Sequence, residues 1–150
     1  MTDSENRVEQ DHIYDQSTKS TRRSALAAPL GMLGLLAVQF LLGMAVNLYV
    51  QMPSAGFGMA KMMSSGPLVM VHMMFGMMLA VGAMVAVGVA FPYGRWVVSC
   101  AGAALGGVLV SGLGGLLFLM DGHSNGASYL MAVGFLFATG GYVAEIVVAR

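Results

Sequence analysis

Four long apolar runs alternate with short polar or turn-rich breaks along this chain. They extend from about Ala25 to Met52, Pro67 to Phe91, Trp96 to Met120 and Ala127 to Ala149. Each exceeds the roughly 20 residues that a helix needs to cross the hydrocarbon core of a bilayer. The pattern therefore predicts four membrane-spanning helices, over 29–52, 67–91, 96–120 and 127–149. Pro67 stands where a first-turn proline fits a helix start. FPYGR (Phe91 to Arg95) reads as a tight break and DGHSNG (Asp121 to Gly126) as a turn-rich loop. Connections this short make neighbouring helices antiparallel, so the expected fold is all-α: an up-down-up-down four-helix transmembrane bundle.

The charges lie outside these runs. Residues 1–24 hold Asp3, Glu5, Arg7, Glu9, Asp11, Asp15, Lys19, Arg22 and Arg23, whereas the rest of the chain carries only Lys61, Arg95, Asp121, Glu145 and Arg150. The polar first 24 residues read as a disordered tail. TRRSALAAP (Thr21 to Pro29) superficially resembles a twin-arginine export signal. The apolar stretch is too long for a signal core and lacks a small-residue cleavage site, so it reads as an uncleaved span. Overall the chain is 57% hydrophobic and 9% charged, against about 25% charged in soluble domains, and its mean hydropathy is +0.77. The expected setting is a multi-pass protein of a bacterial cytoplasmic membrane, in contact with lipid and with helices of its own kind or of another membrane protein.

With the N-terminus inside, the inner face receives Lys19, Arg22, Arg23, Arg95 and Arg150, and the outer face only Lys61. The positive-inside rule then favours both termini in the cytoplasm. Tyr49, Tyr93, Trp96 and Tyr129 fall near span ends, where amphipathic rings prefer to sit. No basic stripe suggests nucleic acid, and Cys100 is the single cysteine, so no internal disulfide forms.

Glycine is abundant, at 21 residues, and patterned in the third run. Ala103, Gly107, Ser111 and Gly115 recur every fourth residue beside a second row of Gly102, Gly106 and Gly114. Such rows let membrane helices approach closely. They specify packing rather than chemistry.

The chemistry to be explained lies in GPLVMVHMMFGMM, Gly66 to Met78, where His72 sits among five methionines. At about 100° per residue, Met73, Met74, Met77 and Met84 fall within roughly 60° of Met70, while His72 lies about 200° away. One helix cannot bring both to one metal. Met70, Met73, Met74 and Met77 read either as apolar packing or as thioether ligands for Cu(I). Met52, Met59, Met62 and Met63 would add an entry path in the second case. M-x-x-x-M on a membrane helix resembles copper importers of the Ctr type, which have three spans.

His72 lies roughly 7–8 Å inside the outer end of its span. An ionisable group at such depth is a functional hypothesis by default. Asn47 is expected at similar depth, and His123 in the loop on the same side. Asn47, His72, Asp121, His123 and Tyr129 are thus expected as one polar cluster, with Gly76 leaving room for a flat ring. Two imidazoles across a bundle can ligate haem b. His72 and His123 stand where one four-helix half of heme A synthase carries its histidines, a resemblance that implies haem handling near the outer face. That family has a glutamate three residues before the first histidine and an arginine just after it; Val69 and Met73 stand there in this chain. QFLLGMAVNLYVQMP (Gln39 to Pro53) with VHMMFG (Val71 to Gly76) also resembles small uncharacterised bacterial four-helix membrane proteins, which implies topology alone. The alternative for His72 is a neutral ring hydrogen-bonded to Asn47 or a carbonyl.

Gln39, Gly43 and Asn47 form a stripe expected to face the bundle, either for hydrogen bonds between helices or as the lining of a small-molecule or proton path. Thr139 is expected to bond the carbonyl one turn back. Glu145 is expected to pair with Arg95, Arg150 or Arg22 and Arg23. With no second acid deeper in the membrane, proton transport along side chains is not expected. Cys100 lies far from both histidines, so a Cys/His nucleophile is not expected either. The resulting expectation is a non-enzymatic subunit or accessory protein acting through helix packing, with haem handling and copper handling as alternatives.

Overall fold

The computed structural model describes residues 3–50, 66–120 and 125–149, with side chains from Ser24 onward in the first of these segments. The described residues form four long helices: α1 (Asp3–Tyr49), α2 (Pro67–Ala90), α3 (Arg95–Met120) and α4 (Asn125–Val148). A 3-10 turn, Phe91–Tyr93, joins α2 to α3. In lipid the backbone has no water to bond to, so an apolar segment satisfies its own amides by closing into a helix. Four stretches meet the length and apolarity this requires, Ser24–Tyr49, Pro67–Tyr93, Arg95–Met120 and Asn125–Val148. The protein is an all-α, multi-pass integral membrane protein.

Two boundaries differ from expectation. Residues 3–23, read from their polarity as a disordered tail, are helical and continue α1. A helix already nucleated in the membrane extends without the cost of starting a new one. Asp3 and Arg7, Arg7 and Asp11, and Asp15 and Lys19 are four apart in sequence, a spacing at which opposite charges favour helix by about 0.2–0.5 kcal/mol per pair. At its other end α1 stops at Tyr49 rather than Met52, and Met52 lies outside the described residues.

The turn between α2 and α3 depends on Gly94. Its φ of 103° is in the left-handed region, where a Cβ is strained. Its N–H donates to the Phe91 carbonyl at 3.5 Å.

The helices form a closed ring. Each packs on its sequence neighbours, and α4 returns to pack on α1. Buried positions recur in alternating steps of three and four. In α1 they are Ala25, Pro29, Met32 and Leu36, then Val46 after the half-buried Gln39 and Gly43. In α2 they are Val69, then Leu79, Ala83, Ala86 and Ala90 after the half-buried His72 and Gly76. That spacing is the heptad seam of helices crossing at a shallow angle. A central cluster draws on all four helices: Met32 and Leu36, then Leu79, Ala83 and Ala86, then Ala104 and Val108, then Ala138 and Tyr142. A second cluster of Ala90, Val97 and Ala101 fills the end of the bundle beside the turn, with Ala149 packed against it.

The closest approach is between α3 and α4. A Cβ on Gly114 would lie 2.7 Å from the Met131 amide nitrogen, and one on Gly141 would lie 2.7 Å from that of Ala104. On Gly107 a Cβ would meet the backbone of Ala138 and Gly134, and on Gly134 the backbone of Ser111 and Gly107. These pairings run antiparallel and leave no room for a single methyl group. The four-residue rows seen in the sequence coincide with this seam in part. Gly107, Ser111 and Gly114 lie against α4, while Gly102, Ala103 and Gly106 are exposed. A four-residue step advances about 400°, so such a row drifts around the helix, whereas alternating three and four holds one face.

Candidate functional site

α1 and α2 meet through two polar side chains, each lodged against a glycine of the opposite helix. A Cβ on Gly43 would lie 3.1 Å from Cε1 of His72, and a Cβ on Gly76 would lie 3.2 Å from Nε2 of Gln39. The imidazole thus fills the space over Gly43, and the amide fills the space over Gly76. The heptad spacing sets this up, because 39 and 43 on α1 and 72 and 76 on α2 all fall on the seam.

Gln39 Nε2 donates to the backbone carbonyl of His72 at 3.1 Å and lies 3.4 Å from His72 Nε2. A carbonyl only accepts, so it fixes the amide with its nitrogen towards α2. The same nitrogen then presents its second hydrogen to the ring, which makes His72 Nε2 the acceptor and leaves the proton on Nδ1. Nδ1 is buried without a hydrogen-bond partner, and so is Gln39 Oε1. The first is a donor and the second an acceptor.

The partner expected for His72 was Asn47, but Asn47 is exposed and Gln39 takes that place. Asn47 lies eight residues, about two turns, further along α1 than Gln39, so the contact falls deeper in the bundle than expected. Gly76, expected to make room for a flat cofactor ring, receives the Gln39 amide instead. Tyr129 is 73% exposed and does not turn into the bundle. His123 and Asp121 lie outside the described residues.

The methionine stripe faces away from the bundle. Met70, Met74, Met77 and Met84 are exposed, with Met74 at 69% and Met77 at 72%, and Met73 is half-buried. Among the described residues no three His, Cys, Asp or Glu side chains stand together as a metal-holding group. The Met74→Leu/Met77→Leu double variant is expected to change stability in detergent by less than about 0.5 kcal/mol, as for surface positions generally. A loss of several kcal/mol would show these side chains to be packed against something other than solvent.

A second polar group occupies α4 towards the turn end; the sequence singled out its Glu145 and Thr139 but not Tyr142. Tyr142 is wholly buried and Glu145 is 2% exposed. The Tyr142 hydroxyl and Glu145 Oε2 have no hydrogen-bond partner. Arg95, expected to pair with Glu145, is exposed, its guanidinium 5.5 Å from the centroid of the Trp96 ring. Arg150 and the side chains of Arg22 and Arg23 lie outside the described residues. Thr139, expected to bond a carbonyl of its own helix, has a buried and unpartnered Oγ1. Glu145 falls on the same three-and-four spacing as the buried Ala127, Gly134, Ala138 and Gly141, and Tyr142 stands beside it. That spacing was the signal available for placing Glu145 inside. Cys100, half-buried on α3, carries a free thiol.

No family model, curated protein or solved structure matches this chain, so what it does has to be argued from these residues.

Proposed function

We propose that the protein is a non-enzymatic subunit or accessory protein of a bacterial cytoplasmic membrane, with both termini in the cytoplasm, and that it works by packing against copies of itself or another membrane protein. One observation carries the reading. α3 has a close-approach face filled by α4, and it has a second glycine pair, Gly102 and Gly106, where a Cβ on either residue would have nothing within 4 Å. Spaced four apart and exposed, this pair offers a neighbouring helix the same backbone access that Gly107 and Gly114 give to α4. The excess of basic residues beside the N-terminus, the α2–α3 turn and the C-terminus supports the orientation.

The test is the oligomeric state in bilayers, followed by subunit counting of a labelled chain, for wild type and for Gly102→Ile/Gly106→Ile. Association that disappears in the variant while the helix content and the unfolding midpoint hold is the expected outcome. The reading fails if wild type and variant show the same stoichiometry and recover the same partners.

A further inference from the structure

We propose that the interior of the bundle is a water-linked proton path from Glu145 through Tyr142 and Thr139 to Gln39 and His72. Among the described residues, five side-chain atoms are buried and unpartnered: Gln39 Oε1, His72 Nδ1, Thr139 Oγ1, Tyr142 OH and Glu145 Oε2. They are not scattered. Tyr142 belongs to the central cluster built from all four helices. Thr139, Tyr142 and Glu145 follow one another at three-residue steps along α4, which spread them over about 120° of that helix, and Gln39 touches His72 across the α1–α2 seam.

The two groups share one axis, and a ring contact sets their relative height. Phe40 of α1 packs on Phe135 of α4 with centroids 5.2 Å apart. At about 1.5 Å per residue, Thr139 lies ~6 Å from that level towards the turn end, Tyr142 ~10 Å and Glu145 ~15 Å. Gln39 adjoins Phe40, and Gly43, which His72 covers, lies ~4–5 Å from the same level in the opposite direction. The series therefore covers ~20 Å of a hydrocarbon core about 30 Å thick. Its axial steps along α4, and that between Thr139 and Gln39, are each ~4–5 Å. Leu36 and Leu79 belong to the central cluster that the path crosses.

Buried polar atoms in folded proteins are nearly always bonded, to protein or to ordered water. Each water makes about three such bonds. Unbonded donors and acceptors inside one bundle are the groups that such waters join. A proton entering at Glu145 passes along the hydroxyls of Tyr142 and Thr139, each accepting one proton and releasing another. At the α1–α2 seam the proton passes along the waters themselves, which Gln39 Oε1 anchors as acceptor and His72 Nδ1–H as donor, because His72 Nε2 is already held by the Gln39 amide. Nothing is oxidised or reduced. Among the described residues the charged side chain at the turn end is Arg95, turned outward over Trp96. Cys100 and Tyr93 are half-buried at the same end.

The experiment uses the full chain reconstituted into vesicles loaded with pyranine, with a potassium gradient and valinomycin supplying the voltage. Wild-type vesicles are expected to change internal pH faster than protein-free ones. Tyr142→Phe and Thr139→Val each remove one oxygen at nearly constant shape, and both are expected to return the flux to the protein-free rate, as is Glu145→Gln. Circular dichroism and gel filtration identify any variant that fails to fold, and the decision then rests on those that do. The proposal is overturned if folded wild type conducts no faster than empty vesicles, or if the folded hydroxyl variants conduct like wild type.

Discussion

Gly107→Ala is expected to destabilise the bundle by more than about 3 kcal/mol, at the upper end of what overpacking costs. The added methyl would collide with main-chain atoms of Ala138 and Gly134 rather than with a side chain that can rotate away. Relief requires α3 and α4 to separate, and separation opens the contacts at Gly114, Gly134 and Gly141 together. Packing is what associates helices in lipid, where side chains gain little by leaving one apolar medium for another. Gly106→Ala is the matched control. It is one residue away, on the same helix, with nothing within 4 Å of the new methyl, and by helix propensity it should be neutral or slightly stabilising. Unfolding of both variants in mixed micelles checks the contrast. Equal midpoints for the two would show that the α3–α4 seam is wider than these contacts describe.

The second large effect has the opposite sign. Glu145→Leu is expected to stabilise the protein by about 1–3 kcal/mol, because a buried polar atom left without a partner costs that much and the substitution removes it. Glu145 is 2% exposed, its Oε2 is unpartnered, and Ala90, Val97 and Ala101 form the apolar cluster at its end of the bundle. A leucine of similar volume suits such surroundings. The same micelle unfolding measurement applies. A loss of stability would show the carboxylate to be paired with a basic side chain such as Arg22, Arg23 or Arg150. A gain would mean that the native residue holds its position at the expense of stability, which is how functional polar groups inside membranes behave.

Much of the architecture was legible because lipid imposes a length on anything that crosses it. Four apolar runs separated by turn signals give four helices with little ambiguity. The separation of His72 from the methionines was equally legible, since a rotation of about 100° per residue is enough to place them on different faces. Two things were not. The partner of His72 depended on the register of α1 against α2, which the pattern of one helix does not fix, and the contact falls at Gln39, two turns from Asn47. The small-residue rows marked the packing face of α3 in part: Gly107, Ser111 and Gly114 lie against α4, whereas Gly102, Ala103 and Gly106 do not. The alternation of three and four picks out Gln39, Gly43, His72 and Gly76 together, and on α4 it identifies Gly141 and Glu145 as interior. Read that way, each polar side chain of the first pair stands opposite the glycine that accommodates it.

α1 has 47 residues, so its length is ~70 Å, more than twice the thickness of the hydrocarbon core. The segment 3–23 accounts for ~30 Å of that. Pro29 sits close to where this extension leaves the bundle; it is fully buried, and its missing N–H leaves the Ala25 carbonyl without a helical donor. A long rod fixed near a weakened joint is a lever. A tilt of about 10° at Pro29 carries its tip through ~7 Å, given the helical rise. The joint lies between the charged end of that rod and the seam, so the rod can swing while the other half of α1 keeps Gln39 against His72.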